Sequence, residues 1–109
     1  MTYQLLAAVI TDAGFYATSD FETKMICASK IRPDGGYTGN SFWVARRASG
    51  WFLGTWGPHL YSIPDTDRIP ELCVEWLRRH PDGTAYDVDP RIREEFHLIE
   101  IDPENLPDE

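Results

Sequence analysis

Cysteine is nearly absent from this 109-residue chain. Only Cys27 and Cys73 occur, far below the density at which small secreted domains build a disulfide framework. Two reduced, buried thiols are expected rather than one bridge. Structural zinc is not expected either, because no paired-cysteine motif supplies further soft ligands. Long hydrophobic runs are missing too. Nothing approaches the ~18 apolar residues of a membrane span, and no basic stretch precedes an apolar one at the N-terminus. Neither a signal peptide nor a membrane segment is expected, and the cytoplasm is the default location. Positive charge is scarce: 10 Lys and Arg stand against 18 Asp and Glu, a net charge of −8. Such a surface repels the phosphate backbone, which counts against nucleic acid as a partner.

That charge is unevenly spread. Asp12, Asp20 and Glu22 make residues 1–22 acidic. Lys24, Lys30, Arg32, Arg46 and Arg47 against Asp34 make residues 23–64 mildly basic. Residues 65–109 hold most of the acids, with only Arg68, Arg78, Arg79, Arg91 and Arg93 to offset them. The length and the 42% hydrophobic content fit one domain with a single core. No internal repeat or linker divides the chain, so residues 1–102 are expected to form the domain and 103–109 a flexible acidic tail.

Three short runs rich in aromatic and β-favouring residues lie between Ser41 and Ile63. They are separated by Ser49-Gly50 and Gly57-Pro58, the pattern of an antiparallel meander. Alternation places Phe42, Val44 and Arg46 on one face and Trp43, Ala45 and Arg47 on the other; next come Trp51, Leu53 and Thr55 against Phe52, Gly54 and Trp56, then His59, Tyr61 and Ile63 against Leu60 and Ser62. Gly54, in mid-strand, marks a bulge or a place where a neighbour such as Trp43 lies across the backbone.

Around the meander the periodicity changes. Leu6, Val9, Ile10 and Ala13 recur at helical spacing, widened by Tyr3 and Leu5, with Thr2 able to cap and Gly14 to terminate. Residues 15–22 read as a connection with a turn at Ser19-Asp20. Phe21–Ile31 alternates as a strand, with Lys24 and Lys30 suiting a more solvated face or an edge. Arg32–Asn40, with three glycines and a proline, is a loop. Ile69, Leu72, Cys73, Trp76 and Leu77 form a full core-facing helical stripe capped by Thr66 or Asp67. Asp89-Pro90 opens a short helix to about His97 that buries Ile92 and Phe96. Leu98, Ile99 and Ile101 form a short strand or lie along the core. The fold expected is therefore α+β, in the order α-β-β-β-β-α-α: a four-stranded antiparallel sheet with an N-terminal helix and one main plus one minor C-terminal helix.

Catalytic signatures are thin. His59, His80 and His97 are scattered, and apart from His97 beside Glu94 and Glu95 none has metal-pair spacing; solvated or helix-end roles suffice. Cys27 shares a strand face with Met25 and Ile31, and Cys73 sits in an apolar stripe, both settings for an inert thiol. Asp34-Gly35-Gly36 lacks the lysine and following helix of a phosphate loop. No catalytic residue, cofactor or metal is expected. No family signature is present either. Trp51 and Trp56 stand too close for the tryptophan-containing β modules that bind proline-rich peptides, and the basic helix-end motif of double-stranded-RNA-binding domains is missing.

The expected function is a small non-catalytic interaction domain that binds a protein partner, or a second copy of itself, through the aromatic sheet face. Tyr37, Trp43, Arg46, Arg47, Trp56, His59 and Tyr61 are the candidate binding residues. The acidic C-terminal half would suit a basic partner. A rival reading places a ligand or enzymatic pocket between the 32–40 loop and the sheet, around Tyr37, Arg46, His59 and Tyr61. A third has the aromatics and Lys24, Lys30, Arg32, Arg46 and Arg47 hold single-stranded nucleic acid.

Overall fold

A computed structural model describes residues 2–20, 25–29, 42–55, 59–79 and 88–106, with side chains described in 2–17, 42–55, 59–79 and 88–106. The element order is helix α1 (Tyr3–Asp12), strands β1 (Tyr16–Asp20), β2 (Met25–Ser29), β3 (Phe42–Arg47), β4 (Gly50–Gly54) and β5 (Leu60–Ile63), then helices α2 (Ile69–Arg79) and α3 (Pro90–Glu95), and strand β6 (Ile99–Ile101). Every sheet neighbour is antiparallel, in the order β1-β2-β3-β4-β5-β6. The α+β fold and the four-stranded antiparallel core expected from the sequence are present, in the expected order, and the sheet continues by one strand at each side.

Both added strands have a local reason. Residues 15–22 were expected to connect, with a turn at Ser19-Asp20; instead Ser19 and Asp20 lie in β1, opposite Ile26 and Met25. Phe15 and Ala17 alternate toward the core while Tyr16 faces outward, so one face of the segment is worth burying. β2 is consequently an interior strand rather than an edge. At the other side Ile99–Ile101 pairs with β5 over Leu60–Ser62.

α1 starts where Thr2 accepts a hydrogen bond from the Leu5 N–H (3.1 Å). It ends in a Schellman motif: the Phe15 N–H reaches the Ile10 carbonyl, the Gly14 N–H reaches that of Thr11, and Gly14 takes φ +93°. Leu6 and Ile10 are buried, but Leu5, expected to widen the apolar face, is 53% exposed because it sits about 100° round the helix from Leu6. α3 ends in the same way, with His97 at φ 56° in the position glycine usually fills and the Leu98 N–H on the Arg93 carbonyl. α3 therefore stops at Glu95, before His97.

Thr66 and Asp67, expected to cap α2, instead lie in a 3-10 turn (Thr66–Arg68) that leads into it. The α2 stripe Ile69, Leu72, Cys73, Trp76 and Leu77 is wholly buried. It meets Phe42, Val44, Trp51, Leu53, Tyr61 and Ile63 from the sheet, together with Leu6, Ile10, Ile92, Phe96 and Leu98, in one cluster. Phe42 and Trp76 meet edge to face at 5.4 Å. Among the described residues, β1, β3, β4 and β5 and the three helices thus contribute to a single core under one face of the sheet.

The other face holds a second, smaller apolar group. Ala45, Phe52 and Leu60 are buried yet outside the main cluster, and register places Ala45 beside Phe52 and Gly54 between Trp43 and Leu60. A Cβ built on Gly54 would fall inside the indole of Trp43. The glycine that ends β4 is there because the tryptophan lies across it. After β6 the chain makes one 3-10 turn, Pro103–Asn105, where Asp102 accepts the Glu104 N–H at 3.0 Å; residues 107–109 lie outside the described residues. No described helix is long and apolar enough to cross a membrane.

Candidate functional site

The β3–β4 turn forms a tip at one end of the sheet, and an open cleft of about 720 Å³ runs round it. Its lining is Tyr3, Arg46, Arg47, Ala48, Ser49, Gly50 and Trp51. Strand alternation explains why both arginines reach it: they leave opposite faces of β3 just before the turn. Gly50 takes φ +144°, a conformation that favours glycine, and a Cβ there would meet nothing within 4 Å. The chain at this point is open to whatever enters.

One wall comes from α1. The Tyr3 hydroxyl accepts the Arg46 backbone N–H at 2.7 Å, and its ring stands edge-on to Trp51 at 5.6 Å and 82°. These two contacts tie the start of the helix to the end of the hairpin. α1 has no acidic residue in its first turn, so the positive end of its dipole is not offset there by a neighbouring carboxylate. Arg47 Nη1 donates to the Arg46 carbonyl at 3.1 Å. Among the described residues, the lining includes two guanidinium groups and no carboxylate.

The candidate residues separate. Arg46 and Arg47 are in the cleft. Trp43 is half-buried on the outer face, over Gly54. Tyr61 is fully buried in the core, with the Arg93 guanidinium 5.3 Å from its ring centre. His59 pairs through Nδ1 with Glu100 at 3.0 Å. It sits at the opposite end of the sheet, where its carbonyl accepts the Thr55 N–H. Thr55 is four residues along β4 from Trp51, so His59 and Arg46 are separated by about 13 Å along the strands. Arg46, His59 and Tyr61 are therefore set apart along the sheet, and the loop expected to close a pocket with them is not among the described residues. Tyr37, Trp56 and the 32–40 loop lie outside the described residues.

Tyr3 and Trp51 were missed as site residues. Helical periodicity placed Tyr3 on the apolar face of the first helix, and β alternation placed Trp51 on a strand face with Leu53 and Thr55. Only the contact between residues 3 and 46, distant in sequence, turns them into a cleft wall.

Elsewhere the ionisable groups pair with one another. Arg68 hydrogen-bonds both oxygens of Glu71, approaches Glu95 at 3.5 Å, and stacks on Phe96 at 4.3 Å. The hydrogen bond from Arg68 holds the Glu71 carboxyl below its ordinary range. Arg79 bridges Glu75 and Glu95, and Arg78 reaches Glu75. Much of the acidity on α2 and α3 is thus answered locally. Burial pushes the Cys73 thiol up, leaving it a protonated, unreactive core group. Among the described residues no group of three or more His, Cys, Asp or Glu side chains could hold a metal. No protein-family model, curated protein or solved structure matches this chain.

Proposed function

We propose that the chain is a non-catalytic interaction domain that receives a protein partner at the tip of the β3–β4 hairpin. The observation that carries this reading is the open cleft of about 720 Å³ with Arg46 and Arg47 on its wall. Arginine is among the residues enriched where interfaces concentrate their binding energy. The lining chemistry supports binding over turnover. Arginine keeps its proton throughout the ordinary pH range, and the described lining residues give Ser49 no histidine or carboxylate to act as a base.

The outer aromatic face gives this role less support. Phe52 and Leu60 are already buried there, so among the described residues a partner would cover chiefly Ile99 and part of Trp43. The site of the interaction therefore moves from the sheet face to the hairpin tip, keeping Arg46 and Arg47 and gaining Tyr3 and Trp51.

A photo-reactive benzoylphenylalanine at Ser49 tests the reading in an extract of the source cells. A discrete cross-linked protein is expected, lost when Ala48→Trp fills the cleft and absent when the same probe replaces exposed Glu104. Equal labelling from both positions, or labelling indifferent to Ala48→Trp, would sink the idea.

A further inference from the structure

We infer that a second copy of this chain packs antiparallel along the outer face of α1, with Leu5 of each copy set against Asp12 of the other. The surface is distinct from the hairpin tip, and the inference does not depend on the tip reading. Tyr3 lines the cleft, and Asp12 is nine residues further on, about 180° from it round the helix.

Exposure picks out the face. Leu6 and Ile10 are buried in the core, whereas Leu5, Ala8 and Asp12 are exposed and Val9 is half-buried. Leu5 alone keeps 53% of its surface open. These four residues recur at i, i+3, i+4 and i+7, so they are neighbours along one line of the helix. An apolar strip thus ends in a single carboxylate. The run from Thr2 to Thr11 holds no charged side chain. Two copies of net charge −8 repel one another, and an uncharged face is where they approach at least cost.

Charge says which partner fits. A helix dipole favours acids at its start and bases at its end. α2 obeys, with Glu71 in its first turn and Arg78 and Arg79 in its last. α1 runs the other way: its first turn has no acid, its last turn has no base, and Asp12 is its final residue. An antiparallel neighbour with the same distribution corrects both ends at once, because each Asp12 then lies beside the other helix's first turn. α1 is itself such a neighbour. A basic segment would answer Asp12 but leave the acid-free first turn as it stands. In the antiparallel pair Ala8 and Val9 of the two copies cross at the middle, and the small Ala8 side chain lets the backbones come close.

Size sets the strength. α1 has 10 residues, which make a helix of about 15 Å. Such a face is smaller than the ~800 Å² per partner of a standard stable interface. The pairing is therefore weak, with a dissociation constant of about 0.1–1 mM.

The test is light scattering on the whole chain at about 0.02–2 mM, with near-ultraviolet circular dichroism to check the fold. The mean mass should rise with concentration towards that of a dimer. Leu5→Glu sets a carboxylate against Asp12 of the other copy and should weaken association at least about tenfold. Ala8→Glu, at a second exposed position, should do the same. Adding Asp12→Lys to Leu5→Glu should restore association to within about threefold of the parent. Ala48→Trp, which fills the tip cleft, should leave it unchanged. A protein that stays monomeric at about 2 mM overturns the proposal. So does association that neither Leu5→Glu nor Ala8→Glu weakens, or that Ala48→Trp abolishes, since the contact then lies elsewhere. If the charge swap restores nothing, the antiparallel register is wrong and the proposal falls with it.

Discussion

A side chain at position 54 has nowhere to go while Trp43 keeps its place. Gly54→Ala should therefore destabilise the fold by about 1–3 kcal/mol, the range for forcing extra carbon into a filled space. Urea denaturation measures it, and Trp43→Ala should absorb most of the penalty in the double variant, because the clash is the cause. At position 97 the strain runs the other way. His97 holds φ 56° to close the α3 Schellman motif, and His97→Gly should raise stability by about 0.5–1 kcal/mol at the same unfolding slope. The Gly54–Trp43 relation was legible in the sequence, because a glycine between aromatic neighbours in a strand signals close approach. The His97 conformation was not, since nothing in Phe-His-Leu replaces the usual glycine.

At the level of elements, the Tyr3 hydroxyl and ring tie α1 to the cleft. Tyr3→Phe keeps the ring against Trp51 but removes the acceptor for the Arg46 N–H, and should cost about 0.5–1.5 kcal/mol by thermal or chemical denaturation. The Arg68–Glu71 pair at the start of α2 has its own signature in pH. The Glu71 carboxyl is depressed in the folded state by Arg68 and has an ordinary value near 4.5. Its contribution to stability is therefore present above pH 4.5 and lost as pH falls through the depressed folded value. Glu71→Gln should be less stable than the parent at neutral pH, and the gap should close in acid; a gap independent of pH would contradict the pairing. α2 itself was readable because its five apolar positions recur at helical spacing and all meet the core. β1 was hidden because Ser19 and Asp20 are poor strand formers, and pairing with β2 overrides that preference. β6 is three residues long, too short for alternation to separate a strand from a chain lying along the core.

Across the whole molecule, one sheet face and three helices bury a single core, and its opening has a chemical reporter. Cys73 is inside the α2 stripe with its thiol pushed up by burial. Its alkylation, followed by peptide-resolved mass spectrometry, should occur only as the core opens and should speed up in Gly54→Ala in proportion to the lost stability. The candidate site was half legible. Arg46 and Arg47 stood out as the only basic pair within an aromatic meander, whereas Tyr3 and Trp51 joined them through a contact spanning 43 positions. His59 and Tyr61 alternate onto the same sheet face as Arg46, but alternation says nothing of distance along the strand, and they belong to its far end or its core. The account's central claim is that the hairpin tip, rather than the outer aromatic face, receives the partner. Amide chemical-shift mapping with the protein captured from Ser49 tests it most directly. Shifts confined to Tyr3 and residues 46–51, with Trp43, Phe52, Leu60 and Ile99 unmoved, are the predicted result. Shifts centred on those four residues, with the tip silent, would contradict it.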